Sequence, residues 1–277
     1  MASKGVTIRD VARRAGVSVA TVSNVLNGQK KVRSASFERV TEAARELNYR
    51  ADPAAAWLRS GRSRVIATLS PNLENPFFSG MVAAVERLCH EQGYELFLAS
   101  SDNKPDVEAA RIRSLLQWRP AAFFVIPCVE TLPLLDEVAE AGVPVVIADR
   151  ALTDRDCDFI ELDNHQAGAL AARHLIDLGH RRIGLINGFG FQSFAWRRET
   201  GYAEALAERG LAFDPALLRG EEMTEPFGAR SVHELLDLPD PPTAFLASSI
   251  AIALGAARAI RAIADRIVSG PGARMRP

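Results

Sequence analysis

The sequence predicts a small all-helical head followed by a larger α/β domain built on a mostly parallel sheet. Three observations predict this. Apolar residues recur at helical spacing up to about residue 50; from Arg64 onward they fall in short β-type runs alternating with helical stretches. The charge changes sign at the same place. Residues 1–64 hold 13 Lys and Arg against 5 Asp and Glu, and the remainder holds 20 against 29. Finally, 277 residues that are 48% hydrophobic suffice for about two domains with cores of their own.

The head reads as three short helices. Thr7 is placed to N-cap Ile8–Ala15, with Asp10 as the acidic partner of a capping box. Ile8, Val11, Ala12 and Ala15 form its apolar stripe. Gly16-Val17-Ser18 interrupts the pattern, and Ser18 can cap a second helix over Val19–Asn27, which Asn27-Gly28 stops. A third helix, about Ser34–Leu47, carries Phe37, Val40, Ala44 and Leu47 at helical spacing. Two short helices joined by a tight Gly-containing turn, with a third to close the core, make a helix-turn-helix arrangement.

Residues 51–63 form a linker between the two patterns. Beyond it, strands are expected over Val65–Ser70, Glu95–Ser100, Ala122–Pro127, Val145–Ala148, Ile183–Asn187 and Ala244–Ser248. Helices are expected over Phe78–Gln92, Asp106–Trp118, Leu132–Ala141, Asn164–Leu178, Trp196–Arg209, Phe227–Leu238 and Ile250–Ile263. This alternation means βαβ units with right-handed crossovers. The Gly/Pro-rich end, Ser269 to Pro277, has no strand pattern and reads as disordered. The expected domains are therefore 1–50, a linker 51–63, an α/β domain 64–265 and a tail 266–277.

Several function classes are excluded. Mean hydropathy is near zero, and no apolar run reaches the ~18 residues of a spanning helix. The N-terminus runs into a charged helix without the apolar core of a secretory signal. Cys89, Cys128 and Cys157 are odd in number and widely spaced, against a disulfide framework or zinc cluster; a reducing cytoplasm is the expected home. The five His show no metal-ligand spacing, and Gly188-Phe189-Gly190 lacks the third Gly of a dinucleotide fingerprint. With no phosphate loop, nucleophile elbow or zinc-protease motif, no catalytic residue, cofactor or metal is assigned. A basic head on an acidic body is the asymmetry of a chain whose one end meets a polyanion, although clustering on a solvated face gives the same count.

The stretch from Val6-Thr7-Ile8-Arg9-Asp10-Val11-Ala12 to Thr21-Val22-Ser23-Asn24-Val25-Leu26-Asn27 resembles the headpiece of the lac-repressor (LacI/GalR) family of bacterial transcription regulators. The resemblance continues through Glu46-Leu47-Asn48-Tyr49, Asn75-Pro76-Phe77-Phe78, Val145-Val146-Ile147-Ala148-Asp149-Arg150 and Leu178-Gly179-His180-Arg181-Arg182-Ile183, covering about residues 5–264. It implies that Val19, Ala20 and Asn24 read bases in the major groove. There, apolar side chains can meet thymine methyls and Asn can pair with adenine. Thr7, Ser18, Thr21, Ser23 and Asn27 match positions suited to phosphate oxygens, although each alone fits a cap or a solvated hydroxyl equally well. Leu58 matches a Leu that wedges into the minor groove and kinks the duplex; Ala56, where an Arg is common, and Trp57 depart from the pattern.

For the larger domain the resemblance implies a two-lobed periplasmic-binding-protein-like fold with a small-molecule effector in the cleft. The matching pocket positions are Phe77, Phe78, Asp149, Gln192, Phe194, Arg198 and Met223. Read without the family, Phe77 and Phe78 are as easily core residues, and Arg198 a surface Arg on a helix. The family's Ser-Asn-Asp reads Ser248-Ser249-Ile250 here, replacing the Asp that commonly holds sugar hydroxyls. This cleft looks suited to a flatter or more apolar anion than a sugar. The family's chain continues through further strands after the helix beginning at Ile250; their absence predicts a C-terminally truncated, marginal ligand domain and a weakened dimer. The expected function is a DNA-binding regulator, read as a repressor, acting as a homodimer on double-stranded DNA at a pseudo-palindromic operator and modulated by an effector, without membrane association. The second reading is a ligand-binding protein of the same fold without a DNA role, which leaves the basic head unexplained.

Overall fold

The computed structural model describes residues 6–26, 34–49, 63–150, 152, 157–188 and 193–268. The chain divides into two compact units, residues 1–63 and 64–277.

The first unit contains α1 (Ile8–Ala15), α2 (Val19–Leu26) and α3 (Ser34–Glu46). Asp10 Oδ2 accepts the Thr7 N–H at 3.0 Å and the Thr7 hydroxyl at 2.7 Å, placing a carboxylate at the positive end of α1. Gly16 turns the chain at φ 64°, a left-handed conformation that a β-carbon would strain. Val17 N–H then reaches back to the Ala12 carbonyl at 3.1 Å. Ser18 Oγ accepts the Thr21 N–H at 3.1 Å and so starts α2. The core is built from small side chains: Val11, Ala12 and Ala15 of α1, Val22 and Val25 of α2, Val40 and Ala43 of α3. Phe37 departs from the expected stripe. It is 49% exposed because the buried line of α3 runs through Val40 and Ala43, leaving Phe37 at its edge.

The second unit alternates strand and helix: β1 (Val65–Ser70), α4 (Pro76–Glu91), β2 (Glu95–Ser100), α5 (Pro105–Leu116), β3 (Ala122–Val125), α6 (Leu135–Glu140), β4 (Val145–Ala148) and β5 (Asp158–Ile160). Then follow α7 (Asn164–Asp177), β6 (Ile183–Asn187), α8 (Ser193–Ala207), β7 (Leu218–Gly220), α9 (Glu225–Leu236), β8 (Ala244–Ala247) and α10 (Ile250–Val268). The strands form one sheet in the order β2-β1-β3-β4-β5 and a second in the order β7-β6-β8. Every pairing is parallel. The central strands β1 and β6 are buried along nearly their whole length, as both faces of a parallel sheet covered by helices require.

Two of these strands, β5 and β7, are absent from the sequence expectation; each has three residues, too few to show a period. The strands expected to reach Pro127 and Ser248 stop at Val125 and Ala247. The helix expected over Leu132–Ala141 begins only at Leu135, although Leu132 and Leu134 are already buried in the core. In the other direction, α10 continues past Ile263 and the expected boundary at 265 to Val268. The rest of the expected tail, residues 269–277, lies outside the described residues.

The helices of the second half associate through glycine. A β-carbon on Gly168 of α7 would collide with the Arg198 carbonyl of α8, and one on Gly201 of α8 with the His165 carbonyl of α7. Gly228 of α9 and Gly255 of α10 repeat this reciprocity against the Ile252 and Glu225 carbonyls. Backbone contact at α7–α8 brings Arg198 within reach of Asn164.

Candidate functional site

In the first unit the candidate base-reading residues share one face of α2. Ser18, Val19, Ala20 and Asn24 are exposed, Thr21 and Ser23 half-buried, and Val22 and Val25 buried. Ala20 and Asn24 are four residues apart, one above the other along the helix. Thr7 is exposed ahead of α1. The helix carries no charged residue, so its outer surface offers short side chains with methyl, hydroxyl and amide groups. Ser18 Oγ and Thr21 Oγ1 are 2.9 Å apart and hydrogen-bonded to each other. Asn27 and Leu58 lie outside the described residues.

In the second unit a cavity of about 380 Å³ opens at the carboxyl ends of the strands of both sheets. It brings together Phe77, Phe78, Asp149, Phe194, Arg198 and Met223; Gln192 lies outside the described residues. Arg150, Leu162 and the turn from Ala247 to Ile250 complete most of the wall. Asn75 Oδ1 caps α4 by accepting the Phe77 N–H at 3.0 Å. The two phenylalanines divide their roles. Phe78, 7% exposed, packs with Ile126 and Ala148, while Phe77, 41% exposed, presents its ring edge-on to it at 5.4 Å.

Arg198 reaches the cavity from α8. Its Nε donates to Asn164 Oδ1 at 2.9 Å and its Nη1 to the Ser248 carbonyl at 2.5 Å. Facing it from the end of β4 is Arg150, which sequence reasoning missed although it ends the Val145–Arg150 motif. Arg150 is 7% exposed. Its Nη1 donates to the Cys128 carbonyl at 2.8 Å, and its buried Nε has no hydrogen-bond partner among the described residues. Asp149 Oδ2 lies 3.9 Å from that Nε. Both guanidinium groups stand over the Phe194 ring, at 5.4 Å and 5.5 Å from its centre. The signal available in the sequence was an Arg directly after Asp149 at a strand's carboxyl end.

Burial governs the electrostatics here. It holds the pKa of both arginines below the ordinary guanidinium value, and Asp149 restores only part of that. It also raises the Asp149 carboxyl above the usual carboxylate range, against the pull of Arg150 and Arg198. Asp149 takes a left-handed φ of 67°, and its N–H donates to the Ile160 carbonyl at 2.8 Å. Behind Arg150, Glu108 is fully buried. Its Oε2 accepts the Cys128 N–H at 2.8 Å, and its Oε1 has no partner among the described residues. Burial, reinforced by Glu108, pushes the Cys128 thiol up to about 12, so it stays protonated and unreactive at neutral pH. The arrangement can hold a small molecule between two halves of a domain.

The family model for bacterial regulatory proteins of the lacI family matches residues 7–52. The model for periplasmic binding proteins and the sugar binding domain of the LacI family matches residues 63–274. Among curated relatives, the HTH-type transcriptional regulator AglR of Rhizobium meliloti (strain 1021) is 36% identical over 92% of this chain and 73% of its own. The HTH-type transcriptional repressor PurR of Actinobacillus pleuropneumoniae serotype 5b (strain L20) is 32% identical over 96% of this chain and 78% of its own. Among solved structures, the lac repressor dimer bound to operator and the anti-inducer ONPF has a TM-score of 0.79 at 26% identity, covering 94% of this chain and 79% of that one. The complex of the transcriptional regulator CelR with cellobiose has a TM-score of 0.64 at 31% identity, covering 93% and 78%. A helix-turn-helix unit ahead of two parallel sheets with a cleft at their carboxyl ends thus has its counterpart along nearly the whole described chain: the protein belongs to the LacI family of bacterial regulatory proteins.

Proposed function

We propose that this chain is a sequence-specific DNA-binding transcription repressor whose operator affinity is set by a small molecule held in the cleft. It acts by binding rather than by catalysis, in the cytoplasm where the chromosome lies. The observation that carries the reading is the outer face of α2, where Val19, Ala20 and Asn24 stand exposed over a core-facing Val22 and Val25. Val19 and Ala20 meet thymine methyls, Asn24 pairs with an adenine edge, and Thr7, Ser18, Thr21, Ser23 and Asn27 position the helix on phosphates. Leu58 adds a minor-groove wedge. Two copies bind as a homodimer on a pseudo-palindromic operator, as a lac repressor dimer does on its operator.

Selection of bound fragments from random and genomic DNA tests this. The expected result is one enriched pseudo-palindrome with half-sites about one helical turn apart or a multiple of it. Recovery of fragments with no shared sequence would overturn the reading. Leu58→Ala is expected to weaken the selected site more than random DNA, because only the specific site is kinked.

A further inference from the structure

The cleft wall is unevenly equipped for a polyol. Of its hydroxyl- and amide-bearing side chains, Asn75 and Ser249 already use their oxygens to cap helices, accepting the Phe77 N–H at 3.0 Å and the Ile252 N–H at 3.2 Å. The Ser248 hydroxyl is buried without a partner among the described residues, and its carbonyl is taken by Arg198. The next position, Ile250, turns an apolar side chain to the cavity and is 44% exposed. A sugar enclosed here would lose water from several hydroxyls and find few hydroxyl or amide groups free to replace it among the described residues. Phe77, Leu162 and Met223, by contrast, offer an apolar bed.

The charge points the same way. Among the described residues, two guanidinium groups and one carboxylate line the cavity, one positive charge in excess that a monoanion would match. Arg150 is more than nine-tenths buried, and its Nε donates to nothing among the described residues. An unpaired buried donor is costly, and the residue that carries it lines the cavity. Arg198 uses Nε and Nη1 on the protein, so its Nη2 edge remains for a ligand among the described contacts. Phe194 contacts both guanidinium groups through its ring, at 5.4 Å and 5.5 Å from its centre.

We infer that the effector is a monocarboxylate carried on an apolar, ring-bearing body, its anion held between Arg150 of one half and Arg198 of the other. This names the ligand class of the cleft and rests on the regulator reading only for calling that ligand an effector. A planar carboxylate presents two oxygens to two forks, whereas a phosphate dianion would bring one charge more than the wall supplies.

Calorimetric titration of the 277-residue protein with phenylacetate, 2-phenylethanol and glucose tests the inference. Phenylacetate is expected to bind about tenfold or more tighter than its neutral analogue, with glucose weaker still. Arg150→Gln and Arg198→Gln should each weaken phenylacetate about tenfold or more. Because a buried Arg150→Gln chain can fail to fold, Ile250→Asp gives a second reading at an exposed position: its added negative charge should weaken phenylacetate while the ligand-free melting curve stays put. Equal affinity for phenylacetate and 2-phenylethanol, glucose as the tightest ligand, or full phenylacetate affinity in either Arg150→Gln or Ile250→Asp would overturn the inference. The titration contains no DNA, so its outcome can be told apart from that of the DNA selection.

Discussion

The two units keep the residues proposed to work in opposite relations to their cores. In the helical unit, Val19, Ala20 and Asn24 are exposed and stand outside the core cluster; Val22 and Val25, on the other side of the same helix, do the packing. In the cleft, Arg198 holds Asn164 and the Ser248 carbonyl, Arg150 holds the Cys128 carbonyl, and Asp149 ties its turn to β5. The first arrangement lets recognition change without touching stability. The second makes the ligand site part of the framework, so a change of specificity there also disturbs how the halves are held.

The sharpest way to break the comparison is at the α7–α8 contact. Gly201→Val should force the two helix backbones apart and destabilise the second unit by at least about 3 kcal/mol, read from a denaturant midpoint. An unchanged midpoint would mean the helices yield there and the cleft is not fixed by that crossing. Asn24→Ala should do the reverse. It should cost about 1–3 kcal/mol of affinity for the selected operator and relax one base-pair preference, while stability stays within about 0.5 kcal/mol. Loss of stability comparable to the loss of affinity would put Asn24 in the fold instead.

The smallest effect concerns Glu108. Burial raises its pKa in the folded protein, against the hydrogen bonds from Cys128 and the charge of Arg150. The folded state therefore holds this proton more tightly than the unfolded chain does. The resulting stability is complete below the ordinary glutamate pKa and is lost as pH rises from there through the raised value. Glu108→Gln keeps an acceptor for the Cys128 N–H but removes the titration. It should gain stability relative to the parent as pH rises from the ordinary glutamate pKa through the raised one. A difference that stays constant across that range would show that Glu108 titrates normally.

What could be read in advance follows from how each signal is written. The helices of the first unit are legible because caps and stripe agree: Asp10 sits three residues after Thr7, and Gly16 stands where the chain must turn left-handed. The cleft residues were placed by the family's motifs, since Phe77, Asp149 and Arg198 come from three distant segments that no local period connects. β5 and β7 escaped because three residues carry no alternation. Arg150 escaped because an Arg after a strand reads as a solvated turn until its burial is seen. Glu108 had a visible sign: it stands four and seven residues before Ile112 and Leu115, on the stripe that α5 buries.

The glycine crossing between α7 and α8 also has a mechanical meaning. With carbonyls lodged where side chains would be, the two helices have little slack to slide past each other. Farther along the pair, Arg173 grips Glu208 through two hydrogen bonds of 2.8 Å and 2.7 Å, and Arg209 meets Asp177 at 2.8 Å. The pair therefore behaves as one stiff plank about 20 Å long, with Arg198 and Asn164 at its cleft end. A rigid pair of this kind is expected to carry a displacement of Arg198 toward the Asp177 end.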